Sequence, residues 1–223
     1  MLIKVLVKSL YFGLLGRLGK LVSSEDEYRM LRELVLSGSS VIDVGANIGR
    51  YSLELSRIVG NNGLVIAIEP NKNIVPIFLN ILSFCGRKNV SLINAGCGKV
   101  AGMGTFLVNT GKPSRCLFST QTRSVALAKV GLDSTIDAIG GGGCYMTTID
   151  NIAVGLVISL IKIDVEGSEM DVLEGGLRTI QAHKPILIIE ANAPELHSYV
   201  VRLGYRRAPS LGSRNMLFLP IPF

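Results

Sequence analysis

Residues 41–52 read VIDVGANIGRYS, and this stretch decides the fold of the chain. A short apolar run is interrupted by Asp43, glycines follow at positions 45 and 49, and helical apolar spacing then begins. Gly45 permits a tight turn, and Gly49 allows the next helix to pack closely against the strand. The pattern predicts a strand, a turn and a helix whose first N–H groups are free to bind an anionic group.

The same alternation of strand and helix continues along the chain. Continuous apolar runs predict buried strands, and apolar residues at helical spacing predict helices. The predicted strands are residues 41–44, 64–68, 90–93, 157–163 and 186–189, and the predicted helices are residues 25–36, 48–59, 76–85, 169–182 and 195–203. A final antiparallel pair is expected at residues 205–208 and 215–219. The chain should therefore have an α/β fold, with a doubly wound, mostly parallel sheet of seven strands and helices on both faces.

The stretch between residues 105 and 143 interrupts this alternation. Residues 105–108 have the character of an extra strand, whereas residues 112–143 are polar, mixed in pattern and punctuated by the glycine run at 140–143. A long stretch without periodicity and with several glycines is typical of a mobile surface segment. We therefore predict a mobile surface segment at residues 112–143.

Composition and charge bound the class of protein. The 223 residues are 48% apolar and 18% charged, which is enough for one core-rich α/β domain. We assign N-terminal helices to residues 1–38 and the main domain to residues 39–223. The net charge of +6 arises from scattered basic residues and only 6% of residues are aromatic, so a nucleic-acid partner is not favoured. Four cysteines without a CxxC pair indicate reduced, packed thiols.

The N-terminal residues 1–22 form an apolar stretch that four basic residues interrupt, at positions 4, 8, 17 and 20. No uncharged run reaches the roughly 18–20 residues that a spanning helix needs. Two roles stay open for an amphipathic helix here: packing on the domain, which we favour, and peripheral contact with a membrane surface. We expect a cytoplasmic protein, with association to a membrane surface as the alternative.

Ligands of doubly wound sheets bind beyond the carboxyl ends of the strands, so the residues at those ends are the candidate site. A nicotinamide-binding turn usually reads GxGxxG, and here Asn47 stands where the middle glycine would be. Glu69 ends the second strand, 24 positions after Gly45, where an acid can accept hydrogen bonds from a ribose diol. Together these residues predict a nucleoside that carries a group smaller than a dinucleotide pyrophosphate.

The remaining strand ends carry further polar groups. Asn94 and Ala95 follow the third strand and leave room for a planar base. The sequence LIKIDVEGSE at residues 160–169 places three acids and a lysine around one strand end, which indicates either chemistry or acids that begin a helix. Glu190 and Asn192 end the fifth strand.

These motifs resemble the FkbM-type methyltransferases over residues 41–219. The resemblance rests on DVGANIGRYS, IEPN, INAG, TTIDN, LIKIDVEGSEMDVLEGG and KPILIIEAN. It implies a Rossmann-like class I enzyme that uses S-adenosyl-L-methionine and usually methylates oxygen, often on a sugar or a natural-product scaffold. It also implies a set of cofactor-binding residues: Asp43, Gly45, Asn47 and Gly49 at the methionine end, Glu69 at the ribose, Asn94 and Ala95 near the adenine, and Asp164 facing the methyl-transfer region.

Methyl transfer to oxygen requires alignment of donor and acceptor and removal of the hydroxyl proton. Asp164 and Glu166 are our candidates for the base or for orienting the acceptor. An alternative, which we do not favour, is Mg²⁺ held by Asp164, Glu190 and Asn192, which would lower the pKa of the acceptor hydroxyl.

The sequence thus predicts an S-adenosyl-L-methionine-dependent O-methyltransferase that acts on a small-molecule or glycan acceptor. Two other functions stay open. One is a nicotinamide-dependent oxidoreductase, and the other is a non-catalytic cofactor-binding or membrane-surface module.

Overall fold

The chain folds around a seven-stranded sheet with helices on both faces. The computed structural model describes residues 11, 14, 26–108, 116–119, 142–190, 193–208 and 215–222. The strands of this sheet are β1 (Ser40–Val44), β2 (Leu64–Ile68), β3 (Val90–Ile93), β8 (Ile158–Ile163), β9 (Ile186–Glu190), β10 (Tyr205–Arg207) and β11 (Asn215–Pro220). Their order is β10-β11-β9-β8-β1-β2-β3. The five strands β9, β8, β1, β2 and β3 are parallel, whereas β11 is antiparallel to β9 and β10 is antiparallel to β11. This arrangement confirms the predicted fold class.

The helices cover the sheet from two sides. They are α1 (Asp26–Leu34), α2 (Arg50–Val59), α3 (Val75–Phe84), α4 (Ile149–Ile152), α5 (Glu169–Gly175), α6 (Leu177–His183) and α7 (Pro194–Arg202). One apolar core contains residues of α2 and α3, and the other contains residues of α5, α6 and α7. Strand β1 lies between β2 and β8, so its carboxyl end opens where the two halves of the sheet meet. Such a position is the usual ligand site of an open parallel sheet.

The helix predicted over residues 169–182 is wrong in one respect, because the structure divides it at Gly176 into α5 and α6. The backbone of the neighbouring elements approaches this point closely. A Cβ on Gly175 would lie 2.0 Å from the carbonyl oxygen of Gly98, and one on Gly176 would lie 2.9 Å from Ile149. The break therefore reflects tertiary packing that helical periodicity does not report.

A second sheet accompanies the first, in the order β4-β7-β5-β6. Its strands are β4 (Gly96–Cys97), β5 (Gly102–Val108), β6 (Cys116–Ser119) and β7 (Gly142–Thr147). The extra strand predicted over residues 105–108 is confirmed as part of β5. The mobile surface segment predicted over residues 112–143 is wrong for 116–119 and 142–143, which pair with β5. The rest of that segment lies outside the described residues.

Helix α1 packs on the main domain through its apolar face. Leu31 of α1 is 1% exposed, and Val35, which directly follows the helix, is 4% exposed; both join the core on the side of α2. The prediction for residues 1–22 lies outside the described residues, apart from Tyr11 and Leu14. Within the part of the chain that is described, no helix has the length and apolar character needed to cross a membrane.

Candidate active site

A small cleft with a cavity volume of about 140 Å³ opens at the carboxyl ends of the parallel strands. Its lining consists of Val44, Gly45, Asn47, Ile68, Glu69, Pro70, Ala95, Cys97, Asp164, Val165, Glu166 and Glu190. Loops that follow β1, β2, β3, β8 and β9 therefore contribute to one site, as the predicted topology requires.

The glycine turn after β1 brings the chain into direct contact with the end of β8. Gly45 has φ +79°, and a Cβ there would lie 1.8 Å from the carbonyl oxygen of Asp164. Gly49 has φ +86°, and a Cβ there would lie 2.0 Å from the ring of Phe78 in α3. The close approach at Gly49 is thus to the neighbouring helix α3. We had predicted a close approach to the strand, and in this respect the prediction is wrong.

The N–H groups of this turn differ from the prediction. The amides of Gly45 and Ala46 both donate to the carbonyl oxygen of Ile68, over 2.9 and 3.0 Å. The amide of Asn47 donates to Oε2 of Glu69 over 2.8 Å. These three donors are already used inside the protein, so the N–H groups of the turn are not free to bind an anionic group, whereas the prediction for the first N–H groups of α2 stays a prediction. The sheet recruits the donors of the turn because a parallel strand end leaves carbonyl acceptors that also need partners.

Glu69 connects the glycine turn to the end of β2. Its two carboxylate oxygens accept the backbone N–H groups of Asn47 and Asn71, each over 2.8 Å. Its own carbonyl oxygen accepts a hydrogen bond of 2.7 Å from Nδ2 of Asn94. The side chain lines the cleft although the residue is only 6% exposed. Burial raises the pKa of Glu69 to about 7, against the opposing effect of the two backbone hydrogen bonds.

Three of the predicted residues lie around the cleft rather than in its wall. Asp43 is fully buried and accepts a hydrogen bond of 2.5 Å from Oγ of Ser52, while its Oδ1 has no hydrogen-bond partner. Burial raises the pKa of Asp43. Asn94 supports Glu69, and Gly49 packs on Phe78. Of the residues expected near the adenine, only Ala95 is part of the lining.

The acids at the ends of β8 and β9 form one wall of the cleft. Asp164 accepts an ion pair of 2.9 Å from Nζ of Lys162, which is itself 2% exposed. Glu190 lies beside Asp164, and its pKa is raised by burial and by the neighbouring carboxylate. Glu166 adopts a left-handed conformation, with φ +53°, and lines the exposed rim. Glu169 instead accepts the N–H of Gly167 over 2.9 Å and begins α5.

Comparison with known proteins identifies the family. Residues 43–207 match the model of the methyltransferase FkbM domain. The chain belongs to the FkbM methyltransferase family. No curated protein matches the chain.

Solved structures support the fold. An FkbM methyltransferase from Methylobacillus flagellatus superposes with a TM-score of 0.56 and 21% identity, covering 83% of this chain and 44% of its own. The chain therefore spans less than half the length of that protein. A methyltransferase from Geobacter sulfurreducens superposes with a TM-score of 0.53 and 15% identity over 97% of this chain and 87% of that one. An S-adenosylmethionine-dependent methyltransferase from Aquifex aeolicus gives a TM-score of 0.50 and 16% identity, covering 87% and 88%.

Sequence reasoning underestimated three groups at the site. Lys162 was considered only as one charge near a strand end, Glu190 only as a strand-end acid and alternative metal ligand, and Cys97 only as a packed thiol. Lys162 stands two positions before Asp164, and side chains two apart in a strand share a face. That spacing was the available signal for their ion pair. Burial raises the pKa of Cys97 to about 12, so its thiol is an unreactive part of the wall.

The magnesium alternative receives no test from the structure. Asp164 and Glu190 both line the cleft, but Asn192 lies outside the described residues. Among the described residues, no three His, Cys, Asp or Glu side chains are grouped so that they could hold a metal ion. Cys85, Cys97 and Cys144 are free thiols, as predicted.

Proposed function

We propose that this FkbM methyltransferase uses S-adenosyl-L-methionine to methylate a hydroxyl group on a sugar, glycoconjugate or small-molecule scaffold. The observation that carries the proposal is the position of Glu69. Its carboxylate lies in the cleft wall at the end of β2. It is oriented by the N–H of Asn47 in the glycine turn and by the N–H of Asn71 after β2. An acid placed there is suited to accept hydrogen bonds from the two hydroxyls of a ribose.

The charge of the cleft also suits this cofactor. Four carboxylates belong to the lining (Glu69, Asp164, Glu166 and Glu190), and the described residues of the lining include no Lys or Arg. S-adenosyl-L-methionine supplies an electrophilic methyl group on a positively charged sulfur. Carboxylates attract such a charge most strongly where water is partly excluded. The glycine turn lies on the same wall as Glu69, so the methionine end would lie against Gly45 and Asn47.

Transfer to oxygen is supported by the pair Asp164 and Glu190. A hydroxyl nucleophile must lose its proton as its oxygen attacks the methyl carbon, and a carboxylate within hydrogen-bond reach can accept that proton. A carboxylate with an ordinary pKa is a weak base at neutral pH, whereas Glu190 has a raised pKa because of burial and of Asp164. We therefore assign the proton acceptor to this pair, and to Glu166 the orientation of the acceptor at the rim.

The proposal is tested in two steps. Isothermal titration calorimetry should detect binding of S-adenosyl-L-methionine and no binding of NAD. A library of hydroxylated acceptors is then incubated with protein and cofactor, and mass spectrometry scores the gain of one methyl group. The product's linkage is read from the chemical shift of a ¹³C-labelled methyl group. Binding of NAD instead would restore the oxidoreductase alternative, and methylation of nitrogen or carbon would overturn the assignment to oxygen.

Replacement of Glu69 by alanine is expected to weaken cofactor binding by about 1–3 kcal/mol, the scale of a lost hydrogen bond to a charged group. Calorimetry with S-adenosyl-L-methionine measures the effect. The control is Glu33→Ala, which removes an exposed glutamate from α1. Equal affinities in Glu69→Ala and the control would remove Glu69 from the cofactor site.

Cofactor affinity is also expected to depend on pH through Glu69. The ionised carboxylate is the better acceptor for ribose hydroxyls, and in the free protein the Glu69 carboxyl loses its proton as the pH rises through about 7. Affinity should therefore rise by about tenfold between about pH 6 and about pH 8, since binding selects the ionised fraction. Glu69→Gln should abolish most of this rise. A wild-type affinity that stays constant over the range would show that the carboxylate does not titrate on binding.

A further inference from the structure

Lys162 is a buried cation, and the burial of its charge requires a physical explanation. It is 2% exposed and ranks among the largest fully buried side chains of the described residues. Burial of an ammonium group is costly unless the charge is paired and hydrogen-bonded. A methionine or leucine would fill the same volume without that cost, so the charge itself has a role.

The contacts of Lys162 all lead to the active site. Its Nζ lies 2.9 Å from Oδ2 of Asp164 and 4.3 Å from the centre of the Tyr51 ring. An ammonium over an aromatic face is attracted by the negative charge of that face. Tyr51 is in turn held by Asn215 of β11, whose Nδ2 donates to the Tyr51 hydroxyl over 2.7 Å. The lysine head is therefore fixed between a restrained ring and a carboxylate.

The charged groups around Lys162 come from three adjacent strands. Asp43 of β1 is the register partner of Lys162 and is fully buried. Asp164 comes directly after β8, and Glu190 ends β9. The charge of Lys162 favours the ionised state of both Asp43 and Glu190. One ammonium thus stands among three carboxylates, and it forms an ion pair with Asp164, one of the two that line the cleft.

We propose that Lys162 is a positioning residue of the methyl-transfer site, which orients the Asp164 carboxylate and ties it to the helix after the glycine turn. One oxygen of Asp164 is held by the ammonium, so the carboxylate cannot rotate freely. Tyr51 belongs to α2, the helix that begins at the glycine turn, so the cation joins the cofactor side of the cleft to the end of β8. The inference rests on the proposed function, because it assigns Asp164 to the methyl-transfer region.

The variants are Lys162→Met, which keeps the volume and removes the charge, and Lys162→Ala, which leaves a space. The control is Lys184→Met. Lys184 also has a tyrosine near its ammonium, since its Nζ lies 6.0 Å from the Tyr205 ring, but it caps α6 outside the cleft lining. A general loss of stability from removing a packed lysine should affect both sites, whereas a positioning role belongs to Lys162 alone.

The measurement is the ¹³C resonance of the sulfonium methyl group in bound [methyl-¹³C]S-adenosyl-L-methionine. The resonance should shift in Lys162→Met and Lys162→Ala and stay at the wild-type position in Lys184→Met. Propylammonium supplies the atoms that Lys162→Ala lacks, and its addition should return the resonance toward wild type, whereas 1-propanol should not. With an acceptor in hand, kcat of Lys162→Met should fall by about 10- to 100-fold with little change in cofactor affinity, as expected for a misplaced catalytic group.

The outcomes separate the two proposals. If the wild-type protein does not bind the cofactor, the proposed function is overturned and this inference with it. If the wild type binds but the methyl resonance of both Lys162 variants stays at the wild-type position, the positioning role alone is overturned. A shift of the same size in Lys184→Met would likewise overturn the positioning role and leave Lys162 with a structural role only.

Discussion

Gly45→Ala is expected to lower the free energy of unfolding by at least about 3 kcal/mol, among the larger effects of single substitutions. Two costs add at this position. The backbone has φ +79°, which side chains rarely adopt, and the new Cβ would lie 1.8 Å from the carbonyl oxygen of Asp164. The obstacle is the backbone of Asp164 directly after β8, which cannot move without disturbing the hydrogen bond from its N–H to the carbonyl oxygen of Val44 in β1. Urea unfolding measures the loss.

Gly38→Ala separates these two costs. Gly38 has φ +86°, yet a Cβ there would meet nothing within 4 Å. Only the conformational cost applies, which is roughly 1–2 kcal/mol. Cofactor binding should persist in Gly38→Ala and fail in Gly45→Ala, since the latter displaces the turn and the end of β8 together. Equal losses of stability in the two variants would show that the close contact with Asp164 has no energetic consequence.

Asp164→Asn is expected to slow methyl transfer by about 10²- to 10⁴-fold, the range for loss of general base catalysis. The amide keeps the shape of the side chain and an oxygen that can accept the hydrogen bond from Lys162, but it cannot take up a proton. Cofactor affinity should change little by comparison. The rate is measured as S-adenosylhomocysteine formed with the acceptor found in the library screen.

Asp150→Asn is the matched control for a structural aspartate. Asp150 accepts hydrogen bonds from the backbone and side chain of Thr179, both over 2.8 Å, and fixes the start of α6 away from the cleft. Its replacement should lower the melting temperature and leave kcat unchanged. If Asp164→Asn retained full turnover, the base would be Glu190, and Glu190→Gln should then show the loss.

Much of the fold and part of the candidate site were predictable, because both follow from local pattern. Apolar runs marked the five parallel strands of the main sheet, and the antiparallel closing pair was placed correctly. Since the ends of parallel strands meet at one edge, the residues after each strand had to be neighbours, and most of those we selected line the cleft. The errors fell where a remote partner determines the structure. The pairing of β6 and β7 with β5 has no local signal, and the adjacent glycines at 175 and 176 did not by themselves establish that the helix breaks there.

The strand, turn and helix at residues 41–52 and the acid at the end of β2 follow from the residues alone, since glycine spacing and apolar period are properties of residues close together in the chain. Only the tertiary structure decided how these features are used. It shows that Gly45 is needed for the approach of Asp164, that the N–H groups of the turn are already bound, and that Lys162 is buried beside Asp43. The first and third of these relations join residues more than a hundred positions apart, because β1 and β8 are adjacent in the sheet although distant in the chain. The second arises because β2 lies on the other side of β1.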